Sequence, residues 1–301
     1  MRGDRPELYA TFWTISGDTT PGLSTEVSPY DFRRRVEAAR EAGYRGLGLS
    51  ISDYIALRER IGVPAMKAIL ADNGLPLIEF ESLFDWFATG ERREKSDAAR
   101  REFLRAADEF GARHIKVVAD FIDTRDDAWP MEHIAGEFRK LCDEAARVGA
   151  NVVLELLPFS NIKTPAQGRA LVEAAGAGNG GLNVDIWHIV RGNIPFAEVA
   201  ALPRAVIKWV EICDADAAMA GTLYEDTVHN RRLPGEGDFD LPGFINAVRA
   251  AGYQGGYGVE IISKEQRRRE PEEAARLAFD TAMREFERAR ETPRQSKEKM
   301  R

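Results

Sequence analysis

Four carboxylates stand inside short apolar segments in the second half of the chain: Glu155, Asp185, Glu211 and Glu260. An ionised carboxylate among apolar residues is costly to desolvate unless a cation or hydrogen-bond donors compensate it. Four such residues in succession therefore predict one shared divalent metal ion. The alternative is that the acids form ion pairs with basic neighbours such as Lys116 or Lys208.

The type of ligand indicates the type of metal. Carboxylate oxygens favour hard cations, whereas a zinc site would more often include several histidines or cysteines. We therefore predict Mn²⁺ first, with Mg²⁺ possible and Co²⁺ able to substitute.

A histidine and two arginines could act on a substrate next to such a metal. His188 follows Asp185 by three residues, and an imidazole there could bind a substrate hydroxyl or carbonyl and exchange protons near neutral pH. A purely structural histidine is the alternative. Arg231 and Arg232 lie in a polar, glycine-rich segment, residues 229–238, and could donate to substrate oxygens. We favour Arg232, because Arg231 could equally belong to a solvated turn.

Three residues from the first half of the chain are weaker candidates for substrate contacts: Trp13, Glu81 and Lys116. A polar residue near the end of a buried strand can reach a pocket at that end. Trp13 could equally fill the interior of a barrel.

The elements that must position these residues alternate between short β-rich segments and longer amphipathic ones. The strand candidates are residues 8–15, 44–50, 76–83, 114–120, 151–157, 181–189, 205–214 and 255–262. Eight such units predict an α/β protein with a (β/α)8 TIM barrel, in which the carboxyl ends of all strands face one mouth. An open doubly wound sheet is disfavoured, because the chain contains neither GxGxxG nor GxxxxGK[ST].

Capping residues predict where helices begin and end. Ser28-Pro29, Thr164-Pro165 and Asp240 with Pro242 are typical of helix starts. Gly43, Gly111, Gly149 and Gly252 each follow an amphipathic segment, where a residue free to adopt positive φ can close the last turn.

Length and composition set the domain organisation. The chain has 301 residues, of which 44% are hydrophobic, so a single barrel domain over residues 1–290 is expected. Residues 291–301 are highly charged and are predicted to form a flexible tail. Cys142 and Cys213 lack a metal-binding or disulfide pattern and are expected to be free thiols.

Charge and hydropathy disfavour two classes of partner. A formal net charge of −7 disfavours a nucleic-acid binder, which needs a clustered basic surface, and favours a small polar, carbohydrate-like substrate. No apolar run reaches the ~20 residues that span a bilayer, and the first residues do not form a signal peptide, so no membrane association and a cytoplasmic location are expected. A symmetric homo-oligomer is possible.

Four pieces of sequence together resemble the xylose isomerase-like superfamily of sugar phosphate isomerases and epimerases. They are Glu155, Asp185-Ile-Trp-His188, Pro234-Gly-Glu-Gly237 and Val259-Glu260, and the resemblance extends over residues 8–287. The superfamily also includes inosose dehydratases, dehydroshikimate dehydratases and the apurinic endonucleases of AP endonuclease family 2. The endonuclease branch is disfavoured, because its zinc site needs several histidines and this chain has four in total.

The resemblance implies a set of metal ligands with one departure. Glu155, Asp185 and Glu260 would bind the metal, and strand seven would provide the fourth ligand at Glu211. Many relatives have histidine there, and some dehydratase-like members have glutamine. Glu211 would therefore place four formal negative charges around one ion, so either cationic neighbours offset them or Glu211 binds weakly.

The implied reaction is proton abstraction next to a metal-polarised carbonyl by Glu155 or Glu260, through an enediolate, in an isomerase or epimerase. The same intermediate could expel a β-hydroxyl protonated by His188, which makes a dehydratase of a cyclic polyol ketone or dehydroshikimate-like compound the alternative. Asn161 stands where ketose 3-epimerases carry a substrate-binding glutamate, and this shifts weight toward the dehydratase. A non-catalytic sugar-binding or accessory subunit is a third possibility.

Overall fold

Eight parallel strands pair in chain order and close into a barrel in the computed structural model, which describes residues 5–22, 25–120 and 129–291. The strands are β1 (Leu8–Ala10), β2 (Leu47–Ser50), β3 (Leu77–Leu83), β4 (His114–Val118), β5 (Asn151–Glu155), β6 (Gly180–Asp185), β7 (Ile207–Ile212) and β8 (Tyr257–Val259). The last strand pairs with the first, with Leu8 opposite Tyr257 and Ala10 opposite Val259. The predicted (β/α)8 barrel is confirmed.

Helices follow each strand and surround the barrel. They are α1 (Phe12–Ile15), α2 (Phe32–Ala42), α3 (Ile51–Arg60), α4 (Gly62–Asn73), α5 (Gly90–Phe110), α6 (Met131–Arg147), α7 (Pro165–Ala175), α8 (Ile186–Arg191), α9 (Phe196–Ala200), α10 (Leu223–His229), α11 (Leu241–Ala250) and α12 (Pro271–Glu291), with a short 3₁₀ helix at Gln266–Arg268. None of the helices in the described part of the chain is long and apolar enough to cross a membrane.

Several strands end earlier than the sequence predicts. β1 stops at Ala10 because the chain turns into α1 directly after Thr11. β6 stops at Asp185, whose carboxylate accepts the main-chain N–H of Trp187 and so starts α8. His188 therefore lies on a helix, and Glu260 lies one residue beyond β8. The predicted strand limits at these three places were wrong.

Two of the three predicted helix starts are confirmed. Thr164 forms a complete capping box with Gln167 at the start of α7, and the Asp240 carboxylate accepts the main-chain N–H of Gly243 at the start of α11. The start at Ser28 was wrong. α2 begins four residues later, where Asp31 accepts from the first turn, and the Ser28 hydroxyl donates to the carbonyl of Ser16.

The four glycines predicted at helix ends all have left-handed backbone conformations, with φ of 106° at Gly43, 62° at Gly111, 74° at Gly149 and 84° at Gly252. Gly43 and Gly111 occupy the capping position, and the other two follow it directly. These predictions are confirmed.

Inside the barrel, a small apolar cluster is separate from the main core between strands and helices. It contains Tyr9, Ile78, Val153 and Trp209. Side chains two residues apart on a strand point to the same side. Glu155 and Glu211, which follow Val153 and Trp209 by two residues, therefore point into the barrel above this cluster.

The cysteines and the chain end complete the comparison with the sequence. Cys142 and Cys213 are both buried and free, as predicted. α12 continues through Glu291. The rest of the predicted tail, residues 292–301, lies outside the described residues.

Candidate active site

A cleft opens at the carboxyl ends of the strands. Its floor contains polar side chains from several strands and from the segment after α10: Glu81, Glu155, His188, Arg231 and Glu260. Its walls are largely apolar and include Trp13, Val118, Leu157, Phe159, Phe84, Tyr224, Val228 and Ile262. Trp13, Glu81 and His188 thus lie where the sequence places them, at the mouth of the barrel.

The four carboxylates from the second half of the chain converge at this floor, and two of them, Glu155 and Glu260, line the cleft. Asp185 and Glu211 are opposite one another on neighbouring strands. One oxygen from each of the four acids lies within 4.8 Å of an oxygen of every other. All four are buried, with Glu155 the most exposed at 7%. The arrangement could hold a metal ion, and Glu155, Asp185 and His188 form a second such group.

Lys116 enters the same cluster from β4. Its ammonium nitrogen lies 2.7 Å from Glu211, 2.8 Å from Glu81 and 3.0 Å from Glu260. Burial alone would lower the pKa of Lys116, but the charges of these carboxylates outweigh burial and raise it well above its usual value. The ion pairing considered as an alternative to a metal therefore exists at Lys116. Lys208 instead donates to the carbonyl of Gly178.

Arg231 is the second cation of the cluster. Its guanidinium lies 2.6 Å from Asp185 and 2.9 Å from Glu260, and the side chain is buried. Arg232, which the sequence favoured, is 44% exposed and pairs with Asp216. The two arginines diverge because Arg232 forms an antiparallel bridge with Asp214, and consecutive residues of an extended segment point to opposite sides. Arg231, not Arg232, lines the cleft.

Burial and neighbouring charges give the acids of the cluster different pKa values. Burial raises the pKa of Glu81 and of Glu211 well above the usual value, and it raises that of Glu260. Burial acts the same way on Glu155, but Lys116, His188 and Arg231 outweigh it and lower the pKa of Glu155 to about 2. Five carboxylates thus share two permanent cations among the described residues. A divalent cation fits this all-oxygen, electron-rich donor set.

His188 lies between the acids and the cleft. Its Nε2 atom is 3.4 Å from Glu155 and 3.7 Å from Asp185, and the side chain lines the cleft. Because α8 starts at Asp185, the position of the imidazole depends on the carboxylate that caps this helix. An imidazole there can donate or accept a proton at a bound molecule.

Asn161, a candidate for substrate contact, lies outside the cleft lining. It lies in the segment after β5, where its main-chain N–H donates to the carbonyl of Asp120, and it is not among the described residues that line the cleft. The aromatic wall formed by Phe84, Phe159 and Tyr224 was not predicted from the sequence. Only their position in the connections that follow strands β3, β5 and β7 could have indicated it, because these connections face the mouth of a barrel.

The family is established by the match over most of the chain. The family model described as xylose isomerase-like TIM barrel matches residues 36–285. The chain belongs to this family. The resemblance inferred from the four sequence segments is thereby confirmed.

Relatives within the family carry different activities in their names. The chain is 29% identical over 235 residues to 3-dehydroshikimate dehydratase of Pseudomonas aeruginosa, a match that covers 76% of this chain and 36% of the relative. It is 29% identical over 148 residues to inosose isomerase of Halalkalibacterium halodurans, which covers 48% of this chain and 51% of that one. The chain thus spans about a third to a half of the length of these curated relatives.

A solved structure supports the fold. The IOLI protein with a bound zinc atom superposes with a TM-score of 0.80 at 15% identity, over 94% of this chain and 99% of that one. At this identity the likeness shows the shared barrel.

Proposed function

We propose that this chain is a divalent-metal-dependent isomerase or epimerase of a small, carbohydrate-like ketone. The observation that carries the proposal is the placement of Glu155 and Glu260. Both line the same cleft, and both have an oxygen within 4.8 Å of the other acids of the cluster. Two carboxylates at one bound substrate can remove a proton from carbon and return one.

The residues that would hold the metal are Glu155, Asp185 and Glu260, with Glu211 as the fourth candidate. We expect Mn²⁺, because the donors are carboxylate oxygens. When bound, such a cation polarises a carbonyl and acidifies the neighbouring C–H.

The two glutamates have different tasks in this proposal. Glu155 lines the cleft from the end of β5, where it can accept the proton from the carbon next to the carbonyl. Glu260 lines the same cleft from the residue after β8, where it can return a proton to a different carbon or face. Arg231 and Lys116, each within 3.0 Å of Glu260, hold its carboxylate in position.

The first experiment joins metal content with proton exchange. Protein purified without chelator is analysed for metal, loaded with Mn²⁺, and incubated in deuterated water with ketoses, inososes and dehydroshikimate. We expect one metal ion per chain and deuterium at the carbon next to the carbonyl of at least one substrate class. Glu155→Gln should abolish the exchange, and the matched control Glu173→Gln, an exposed residue paired with Arg169, should keep it. A metal-loaded protein that binds such a ketone without exchange would refute the enzymatic proposal.

A dehydratase is the second candidate, and His188 is the observation that favours it. The imidazole lines the cleft 3.4 Å from Glu155, where it can protonate a departing hydroxyl. The relative that matches 76% of this chain is named a dehydratase. Loss of water from dehydroshikimate or an inosose, followed by product analysis, distinguishes this reaction from isomerisation. His188→Gln should stop the loss of water while proton exchange continues. A decrease of both rates by the same factor would contradict this role for His188.

A further inference from the structure

Glu211 is the most enclosed of the four acids. Its Oε1 atom accepts from the Lys116 ammonium at 2.7 Å and from the Trp209 indole N–H at 3.2 Å, and its Oε2 atom accepts from the Asn183 amide. On the remaining side, a Cβ atom at Gly258 would lie 2.8 Å from the Glu211 side chain. Three donors thus surround the carboxylate of Glu211, and the backbone at Gly258 packs closely against the rest of its side chain. The residue is 0% exposed.

The other acids line the cleft or are paired with a residue that lines it. Glu155 and Glu260 line it, and the described donors to Glu155 lie at 3.2 Å or more. Asp185 is paired with Arg231, which itself lines the cleft. A cation that enters through the cleft therefore meets Glu155, Glu260 and the Asp185–Arg231 pair, whereas neither Glu211 nor Lys116 is among the described residues that line it.

Lys116 is enclosed by the carboxylates that it contacts. Its side chain is 1% exposed, and carboxylates of Glu81, Glu211 and Glu260 surround its ammonium group. Moving it away from Glu211 would leave a buried ammonium and a buried carboxylate with fewer partners, which is unfavourable inside a protein. A metal ion that bound Glu211 would have to displace or crowd this ammonium.

We infer that Glu211 is the counter-ion of Lys116 and not a metal ligand, so that the cation is held by three carboxylates, Glu155, Asp185 and Glu260. This inference rests on the proposed metal-dependent function and refines it. If Glu211 stays with Lys116, only three carboxylates place negative charge directly around the divalent ion instead of four. Fewer protein ligands also leave more coordination positions for substrate oxygens.

Mn²⁺ binding to the metal-free protein tests the inference, measured by calorimetric titration with stoichiometry and Kd. The key variant is Lys116→Met combined with Glu211→Gln, which removes the pair without changing the net charge of the cluster. Asp185→Asn is the matched control, because Asp185 lies opposite Glu211 on the neighbouring strand and undergoes the same acid-to-amide change. Circular dichroism of each metal-free variant shows whether it is folded.

The expected results separate the two roles. The double variant should bind one Mn²⁺ per chain with a Kd within about threefold of the wild type, whereas loss of a true ligand in Asp185→Asn should weaken binding by about 100-fold or more. If the double variant is folded and weakened as much as Asp185→Asn, Glu211 is a ligand and the inference is wrong. If the wild type itself takes up no Mn²⁺, Mg²⁺ or Co²⁺, the proposed function fails and the inference fails with it.

A crystal structure of the Mn²⁺-loaded wild-type protein decides the question even if the double variant does not fold. The inference requires the Glu211 oxygens to remain with Lys116, Trp209 and Asn183. A Glu211 oxygen about 2.2 Å from the ion would overturn it.

Discussion

The floor and the walls of the cleft are built on opposite principles. The floor concentrates charge: Glu155 and Glu260 lie beside Arg231 and above Lys116, and every one of these side chains is buried. The walls expose apolar surface, with Phe84 44% and Tyr224 43% accessible to solvent. Charge that is buried and paired is fixed in position, whereas an exposed ring can adapt to what it contacts. In the proposed function, the floor performs the chemistry and the walls select the molecule.

Among changes to the floor, removal of the metal should reduce activity the most. We expect treatment with a chelator to reduce activity to background and added Mn²⁺ to restore it, because the carbonyl is no longer polarised. The fold should survive, since Lys116 and Arg231 still compensate the acids. Activity assays with circular dichroism on the same samples check both statements. Activity that persists with no metal detectable by elemental analysis would contradict this prediction.

Neutralising one proton-transfer group is the next largest change. Glu155→Gln should lower kcat by about 1,000-fold, in the range found for loss of a general base. Deuterium exchange and turnover should fall together, because both need the same proton abstraction. Glu265→Gln, an exposed acid paired with Arg269, is the control and should keep wild-type rates. A Glu155 variant with normal exchange would remove this residue from the mechanism.

Arg231 and Arg232 provide matched substitutions inside and outside the floor of the cleft. Arg231→Met removes the cation between Asp185 and Glu260 and should lower kcat/KM by about 100-fold. Arg232→Met removes only an exposed pair with Asp216 and should change kcat/KM by less than about twofold and stability by less than about 0.5 kcal/mol. Steady-state kinetics and thermal unfolding measure both. Equal effects of the two substitutions would contradict the division between them.

The walls should give the smallest effect. Tyr224→Ala removes a half-exposed ring whose hydroxyl donates to the carbonyl of Pro21. We expect KM to rise by about threefold with kcat unchanged, since the ring contributes binding that is equal in the ground and transition states. A large loss of kcat from this substitution would mean that the walls also take part in catalysis.

The fold and the four acids could be predicted from the sequence because both produce patterns among residues that are close together in the chain. Alternation of β-rich and amphipathic segments predicted all eight strands, and Glu155, Asp185, Glu211 and Glu260 were conspicuous because a charge inside an apolar strand demands a partner. These signals require only neighbours along the chain.

Features that depend on distant partners could not be predicted in this way. The choice between Arg231 and Arg232 depends on a bridge to Asp214, which lies 18 residues before Arg232 in the sequence. The contacts of Lys116 with Glu211 and Glu260 appear only when the barrel closes and brings β4 near β7 and β8. The aromatic residues of the walls lie in loops and short helices that follow strands, and these segments are too short or too irregular for a periodic pattern to predict them.

Asp185 has two tasks that are usually separate. Its Oδ1 atom accepts the N–H of Trp187 and starts α8, while its Oδ2 atom accepts from Arg231 within the acidic cluster that could hold a metal ion. The first turn of α8 carries His188 to the cleft. A displacement of this one carboxylate would therefore shift the imidazole as well, so that a ligand bound at Asp185 would also change the orientation of His188, three residues further along the chain.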